Sequence, residues 1–386
     1  MMQVRRMAWV VAVCAVLLPA AVRGEKAAQD AVVVGYVFPQ NKVLAEGEIA
    51  AEKLTRVNYA FANLEGGRIV NGFAHDDENL AALVALKKGN PQLTVLVSVG
   101  GWLWSGGFSE MALTRESRAV FVESVAGYVR AHALDGLDID WEYPGLPGAT
   151  KNFRAEDKQN YTLLVKELRK RFDGLERELG RKLYVTVATG SGEDFLAHTE
   201  MREVARYVDT VNLMAYDYYE PGAEGMTGHH APLHRSGADP KGFSAERSVE
   251  AYEQAGVPAG KIVLGVPFYG HVWGEVAAGN HGLYQAGKEL PKGTPELGAR
   301  PEAMVQDGFV RYWDEEAKAP YLYHAGKQMF VSYEDAESLE LKCRFVMEKG
   351  LRGVMFWDYE SDPSGVLLET VHTVLKRGTA EKSVTR

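Results

Sequence analysis

Cysteine is almost absent from this sequence. Cys14 and Cys343 are the only two among 386 residues, and Cys14 lies in an N-terminal apolar run. If that run is removed, one thiol remains and no internal disulfide can form, so the fold must rest on its apolar core. Cys343 falls in a helical pattern from Leu339 to Met347, where a small buried apolar role is expected. A basic excess is also missing. The 43 Lys and Arg face 52 Asp and Glu, a net charge of −9. No nucleic-acid partner is expected from that balance. Beyond Gly24 there is no apolar run of about 18 residues, the length a membrane span requires. No glycine-rich phosphate loop follows the first strand-like segment, which argues against a nucleotide-binding open sheet.

What the N-terminus does contain is the pattern of a signal peptide. Arg5 and Arg6 precede the apolar run Met7 to Ala21, and the small residues Val22 and Gly24 follow it. Cleavage after Gly24 is expected, giving residues 1–24 as the signal and 25–386 as the mature chain. Losing Arg5, Arg6 and Arg23 leaves 40 basic against 52 acidic residues, a net charge of −12. A periplasmic or secreted monomer without a stable membrane anchor is expected.

The remaining chain alternates short β-rich runs with helical stretches. Strands are expected at Val32 to Val37, Arg56 to Ala62, Leu93 to Val99, Leu137 to Trp141, Leu183 to Ala188, Thr210 to Met214, Ile262 to Val266 and Gly353 to Trp357. Helical spacing appears between them, for example in Asn79 to Lys88, Arg115 to Ala133, Asp157 to Leu179 and Ala245 to Ala255. Eight nearly continuous apolar strands alternating with helices predict a closed parallel (β/α)₈ barrel, with a doubly wound open sheet as the alternative. In such a barrel the functional residues stand at the C-terminal ends of the strands. One connection, after the seventh strand, is too long for a plain loop. Its aromatic and β-like runs predict a small α+β insertion over about residues 274–330.

The most informative segment runs Asp135-Gly136-Leu137-Asp138-Ile139-Asp140-Trp141-Glu142-Tyr143-Pro144. Alternation along a strand puts Asp138, Asp140 and Glu142 on one face, with Leu137, Ile139 and Trp141 on the other. Three carboxyls aimed into a barrel repel one another and are partly desolvated, so protons are retained near neutral pH and the titrations are coupled. A carboxyl that keeps its proton at neutral pH is what a general acid needs. A divalent metal is the competing use of three such acids, but no His or Asn cluster accompanies them. Neither a metal nor another cofactor is expected.

This segment resembles the D-x-x-D-x-D-x-E signature of glycoside hydrolase family 18, the chitinase family, at every acidic position. Ser98-Val99-Gly100-Gly101-Trp102 is similar to that family's third-strand motif, and Met214-Ala215-Tyr216-Asp217 to its sixth-strand motif. Trp357 resembles the tryptophan beneath the cleaved sugar. The resemblance implies a substrate-assisted retaining glycosidase acting on chitin or N-acetylglucosamine oligosaccharides. It implies Glu142 as general acid and base, Asp140 as the partner of the substrate acetamido N–H, Asp138 as its proton-sharing neighbour, and Tyr216 as a hydroxyl on the acetamido oxygen. Tyr36, Phe61, Gly101, Trp102, Met214, Asp217 and Trp357 are the implied substrate contacts, with Ser98 and Asp135 in support. One position departs from the pattern. Many relatives carry arginine after the seventh-strand Tyr-Gly, where this chain has Tyr269-Gly270-His271. His229 and His230 are adjacent, yet carboxylate or cysteine ligands to go with them are not evident, and a structural or cleft-lining role is expected. A non-catalytic chitin-binding lectin and an endo-β-N-acetylglucosaminidase remain as alternative readings.

Overall fold

The computed structural model describes residues 31–223, 225–291 and 301–384; the expected signal segment, 1–24, lies outside the described residues. The strands, in chain order, are β1 (Val32–Val37), β2 (Arg56–Glu65), β3 (Arg68–Val70), β4 (Thr94–Gly100), β5 (Gly136–Asp140), β6 (Tyr184–Gly190), β7 (Thr210–Met214) and β8 (Ile262–Pro267), followed by β9 (His271–Gly274), β10 (Lys288–Glu289), β11 (Val310–Asp314), β12 (Ala319–His324), β13 (Met329–Ser332) and β14 (Gly353–Trp357). Parallel pairing runs β1-β2-β4-β5-β6-β7-β8-β14 and returns to β1, closing an eight-stranded (β/α)₈ barrel. The eight strands expected from apolar runs are those of the ring. The short β3, which pairs antiparallel with β2 as a hairpin, was not expected; three residues carry too little periodicity to stand out.

Two apolar clusters divide the barrel's work. The outer one lies between strands and helices and includes Leu137, Ile139 and Trp141, so the alternate face of β5 packs as its pattern predicts. Trp141 stacks on Phe108 with centroids 5.3 Å apart. The helix Asp157–Leu179 covers this region with Leu164, Val165, Leu168 and Phe172, and stops at Gly180, whose φ of 67° suits a residue without a side chain. The inner cluster is small, comprising Val32, Val34, Tyr36, Ala60, Phe61, Val263 and Met355. Beside it the interior holds buried polar side chains, among them Asn58, Ser98, Asp138, Thr186 and Asn212.

The connection after β8 forms the expected insertion. Its five strands pair antiparallel in the order β10-β9-β13-β12-β11, with the helix Pro301–Gln306 between β10 and β11. The sheet begins at His271 and ends at Ser332, slightly outside the 274–330 expected, because β9 starts directly after Tyr269-Gly270. Met304, Phe309, Leu322, Val331 and Tyr333 give it a core of its own. Among the described residues no helix is long and apolar enough to cross a membrane.

The helix Ala336–Lys349 follows the insertion, capped by Asp335 and Ser338 at one end and by Gly350, φ 66°, at the other. It buries Cys343 completely, and burial pushes that thiol up to about 12. It also buries Lys342, which pairs with buried Glu334 and donates to the Ala231 carbonyl at 2.6 Å. Removing one member of a buried pair leaves an uncompensated charge. Lys342→Met is therefore expected to lower stability by about 3–5 kcal/mol, measured by chemical denaturation. Replacing both Lys342 and Glu334 with apolar residues should recover most of that loss.

Candidate active site

The carboxylate ladder stands inside the barrel. Asp138 is wholly buried at its centre, and four side chains from four strands donate to it. The Tyr36 hydroxyl and Ser98 Oγ reach Oδ2 at 2.8 Å each; Asn212 Nδ2 reaches Oδ1 at 3.0 Å, beside Thr186 Oγ1. Register explains the convergence, because Ser98, Asp138 and Thr186 are directly paired across β4, β5 and β6. Asn212 is itself oriented from below. Arg56 donates to Thr210 Oγ1 at 2.9 Å, and Thr210 donates to Asn212 Oδ1 at 3.2 Å, which leaves the Asn212 amide free to point its N–H at Asp138. Burial raises the pKa of Asp138 even against the Thr186, Ser98 and Tyr36 donors and the Arg56 charge.

Asp140, one step up the strand, has a different environment. It is 4% exposed, lines the cleft, and its Oδ1 has no hydrogen-bond partner. Burial, then the negative charges of Glu142 and Asp138, hold its pKa well above the usual carboxylate range. Four donors favour the ionised form of Asp138, so the ladder's retained proton belongs on Asp140.

Glu142 follows β5 and also lines the cleft. Burial raises its carboxyl to about 7; the Tyr143 hydroxyl opposes this, and the charges of Asp217 and Glu220 add to it. Its backbone is held by Ser105. The Glu142 N–H donates to Ser105 Oγ at 2.9 Å, while that hydroxyl shares its own proton between the carbonyls of Gly101 and Asp140, at 2.9 and 3.0 Å. The close approach of β4 and β5 here depends on Gly100, φ 109°, where a Cβ would stand 2.1 Å from the Asp140 carbonyl oxygen.

The cleft above these residues has a volume of about 790 Å³. Trp357 lies on its floor, stacked on Phe61 at 5.4 Å and tilted against Phe38 and Tyr36. Met214, Tyr216, Tyr143 and Trp102 also line it, and Trp102 is 51% exposed. Gly101 is not on the surface of the cleft. Its N–H bonds to the Asp140 carbonyl at 2.8 Å and it packs under the Phe61 ring, while Gly100 takes the lining position. Tyr216 is held protonated, since burial and then the Asp217, Asp140 and Glu142 charges raise it well above 10. Asp135 stands at the opposite end of β5, paired with Lys87 at 2.7 Å and Arg181 at 2.8 Å, so its support is to the strand's base.

The far wall is built around Asp217, which adopts φ 58°, a left-handed conformation that aspartate tolerates. Its Oδ1 accepts from the Tyr269 hydroxyl at 2.6 Å and lies 2.8 Å from His271 Nε2. Burial alone would raise this carboxyl, but the imidazoles of His230 and His271 win and hold it well below the usual range. His271, at the position that departs from the family pattern, thus pairs with Asp217. His229 is used elsewhere, 3.2 Å from Asp314 in the insertion.

Comparison with known proteins places this geometry. The model of the glycosyl hydrolases family 18 matches residues 32–362. The chain belongs to glycosyl hydrolase family 18. It is 39% identical over 320 residues to chitinase A1 of Niallia circulans, covering 78% of this chain and 45% of the relative. It is 32% identical to chitotriosidase-1 of Mus musculus, covering 80% of this chain and 67% of the relative. The chain therefore spans less than half the length of the first of these. A solved family 18 N-acetylglucosaminidase of Paenibacillus barengoltzii is 41% identical, with a TM-score of 0.80 over 89% of this chain and all of that one.

Within this family 18 barrel, sequence reasoning missed Ser105, Thr186 and Asn212. Alternation along β6 and β7 places Thr186 and Asn212 on inward faces and was the available signal. Ser105 had none, because its role arises from the folding back of a loop. Ser105→Ala removes the acceptor for a backbone N–H beside a buried carboxyl. A stability loss of about 1–3 kcal/mol is expected, read by denaturant titration.

Proposed function

We propose that this protein is an exported chitinase that cleaves β-1,4-linked N-acetylglucosamine polymers by a retaining mechanism in which the substrate's own acetamido group is the nucleophile. The observation that carries the reading is the pairing of two unlike carboxyls. Glu142 has its pKa raised to about 7 at the cleft surface, and Asp140 beside it presents a buried oxygen without a partner. Glu142 protonates the glycosidic oxygen and then removes a proton from the incoming water. The free Asp140 Oδ1 accepts from the acetamido N–H, and as Asp140 passes its retained proton to Asp138 it offsets the positive charge of the oxazolinium ion. Tyr216, kept protonated, donates to the acetamido oxygen and fixes it near the anomeric carbon. Asp138 tunes Asp140 through its charge. Trp357 offers a flat face to the apolar side of the sugar, Trp102 and Tyr36 line the same cleft, and Asp217 hydrogen-bonds a sugar hydroxyl. The reading needs no cofactor. Export rests on Arg5, Arg6 and the apolar run to Ala21.

The likeness to a solved N-acetylglucosaminidase favours a second reading, in which the preferred substrate is a short oligosaccharide. Product sizes from a chitin oligomer series distinguish the two.

Glu142→Gln retains shape and loses the proton. Turnover of a chitin oligomer is expected to fall about 10²–10⁴-fold with oligosaccharide binding preserved. Near-normal turnover would remove Glu142 from its role. Because the acid form must donate, kcat/KM in the unaltered enzyme should decline as pH rises through about 7, where Glu142 loses its proton.

Substrate assistance has its own test. Without the acetyl group the internal attack is lost, and with it a positioning advantage of about 7–11 kcal/mol. Partly deacetylated chitin should therefore be cut only where the new reducing-end residue is acetylated. Sequencing those ends decides the matter, and frequent glucosamine there would sink the mechanism.

A further inference from the structure

At Asp217, which lines the cleft, three groups far apart in sequence come together. Asp217 follows β7, His230 lies in the loop thirteen residues on, and His271 opens β9. Their ligand atoms all fall within 4.8 Å of one another. His271 Nε2 is 2.8 Å from Asp217 Oδ1, and His230 Nδ1 is 3.6 Å from the same oxygen. The two imidazoles meet edge to face with centroids 4.8 Å apart.

The second observation concerns His230 alone. Its side chain is wholly buried; Nδ1 faces Asp217 Oδ1 at 3.6 Å, too long for a good hydrogen bond, and Nε2 has no partner. A buried polar atom is normally satisfied, and a ring so poorly supplied beside an imidazole and a carboxylate invites a ligand. The loop that carries it is fixed, since the His230 N–H donates to Ser332 Oγ at 2.9 Å and the next carbonyl, of Ala231, accepts from Lys342. Lys342 brings a positive charge close by, but Glu334 neutralises it.

We propose that Asp217, His230 and His271 form a binding site for a divalent ion of the zinc class, with its remaining coordination position open to the cleft. Bonds of about 2.0–2.2 Å around a tetrahedral ion separate its ligands by about 3.3–3.5 Å. The 2.8 Å and 3.6 Å edges bracket that spacing, and the third edge, between the histidines, is no longer than 4.8 Å. Two imidazoles and one carboxylate suit zinc, nickel or copper, and disfavour magnesium and calcium, which take all-oxygen shells. Binding displaces the proton now shared between His271 Nε2 and Asp217. The Tyr269 hydroxyl, already donating to Asp217 at 2.6 Å, holds the carboxylate in place as outer-sphere groups do. Asp217 lines the cleft and is about a third exposed, so the ion enters from that side.

The test is calorimetric titration of the metal-stripped full chain with Zn2+, and with Mg2+ as control. One Zn2+ per chain is expected, with no saturable heat from Mg2+. His271→Arg keeps an N–H donor beside Asp217 and removes the ligand, so it should fold with the parental melting temperature and bind Zn2+ at least about tenfold more weakly. His230→Asn should do the same, and Co2+ in place of Zn2+ should give the intense visible bands of a tetrahedral ion in the parent and not in either variant. No saturable Zn2+ binding, or binding that survives in both folded variants, would overturn the proposal; the latter is the signature of zinc held by other histidines. The readout is binding, so it stands apart from whether the protein cleaves chitin.

Discussion

Everything in the upper half of the barrel depends on one desolvated carboxyl, Asp138. A charge at the centre of a closed sheet is tolerated only when its lone pairs are filled. Here they are filled by Tyr36, Ser98, Thr186 and Asn212, one each from β1, β4, β6 and β7. The arrangement fixes how those strands sit relative to β5, and so where the ends of the strands deliver their residues. It also sets the next group. With Asp138 satisfied from all sides, Asp140 above it has no partner to borrow and retains both a proton and an idle oxygen. Glu142, two residues further, stands at the rim where burial is enough to raise its carboxyl without silencing it. A gradient of hydrogen-bond supply along five residues thus gives three acids three different characters.

Most of the fold was legible because it is written in period. β5 reads Leu137 and Ile139 on one face and Asp138 and Asp140 on the other, and both faces are found where alternation puts them. β1, β8 and β14 are nearly continuous apolar runs, as strands covered on both sides tend to be. The insertion was visible only as an overlong connection. Its pairing order was not, since antiparallel order depends on which short strands meet after collapse. Of the site, the residues on strands were readable, and those on loops were readable only where a known motif covered them. Ser105 sits four residues past Gly101 in a stretch with no periodic pattern, and nothing local marks it. Gly101 was assigned to the substrate surface because its motif neighbours are there; the structure puts it beneath Phe61 and gives the lining position to Gly100.

The histidine pair shows why sequence distance misleads. His229 and His230 have no evident acidic partner along the chain, so ligation looked unsupported. Folding carries them to different places. His229 turns into the insertion toward Asp314, while His230 turns into the barrel rim toward Asp217. Adjacent residues in extended chain point to opposite sides, and each acquires a carboxylate that only the tertiary fold supplies.

The Ser105 hydroxyl has a consequence for how this loop can change over evolutionary time. It touches the chain at Gly101, at Asp140 and at Glu142 at once. The four-residue step from Gly101 to Ser105 therefore works as a ruler that sets the height of the proton donor above the sheet. The exposed side chain of Leu103, at the mouth of the cleft, can change without touching that contact. The number of residues cannot. Adding or deleting one would move Glu142 by a good part of the 3.3–3.6 Å that one residue spans, so variation here should occur by substitution alone.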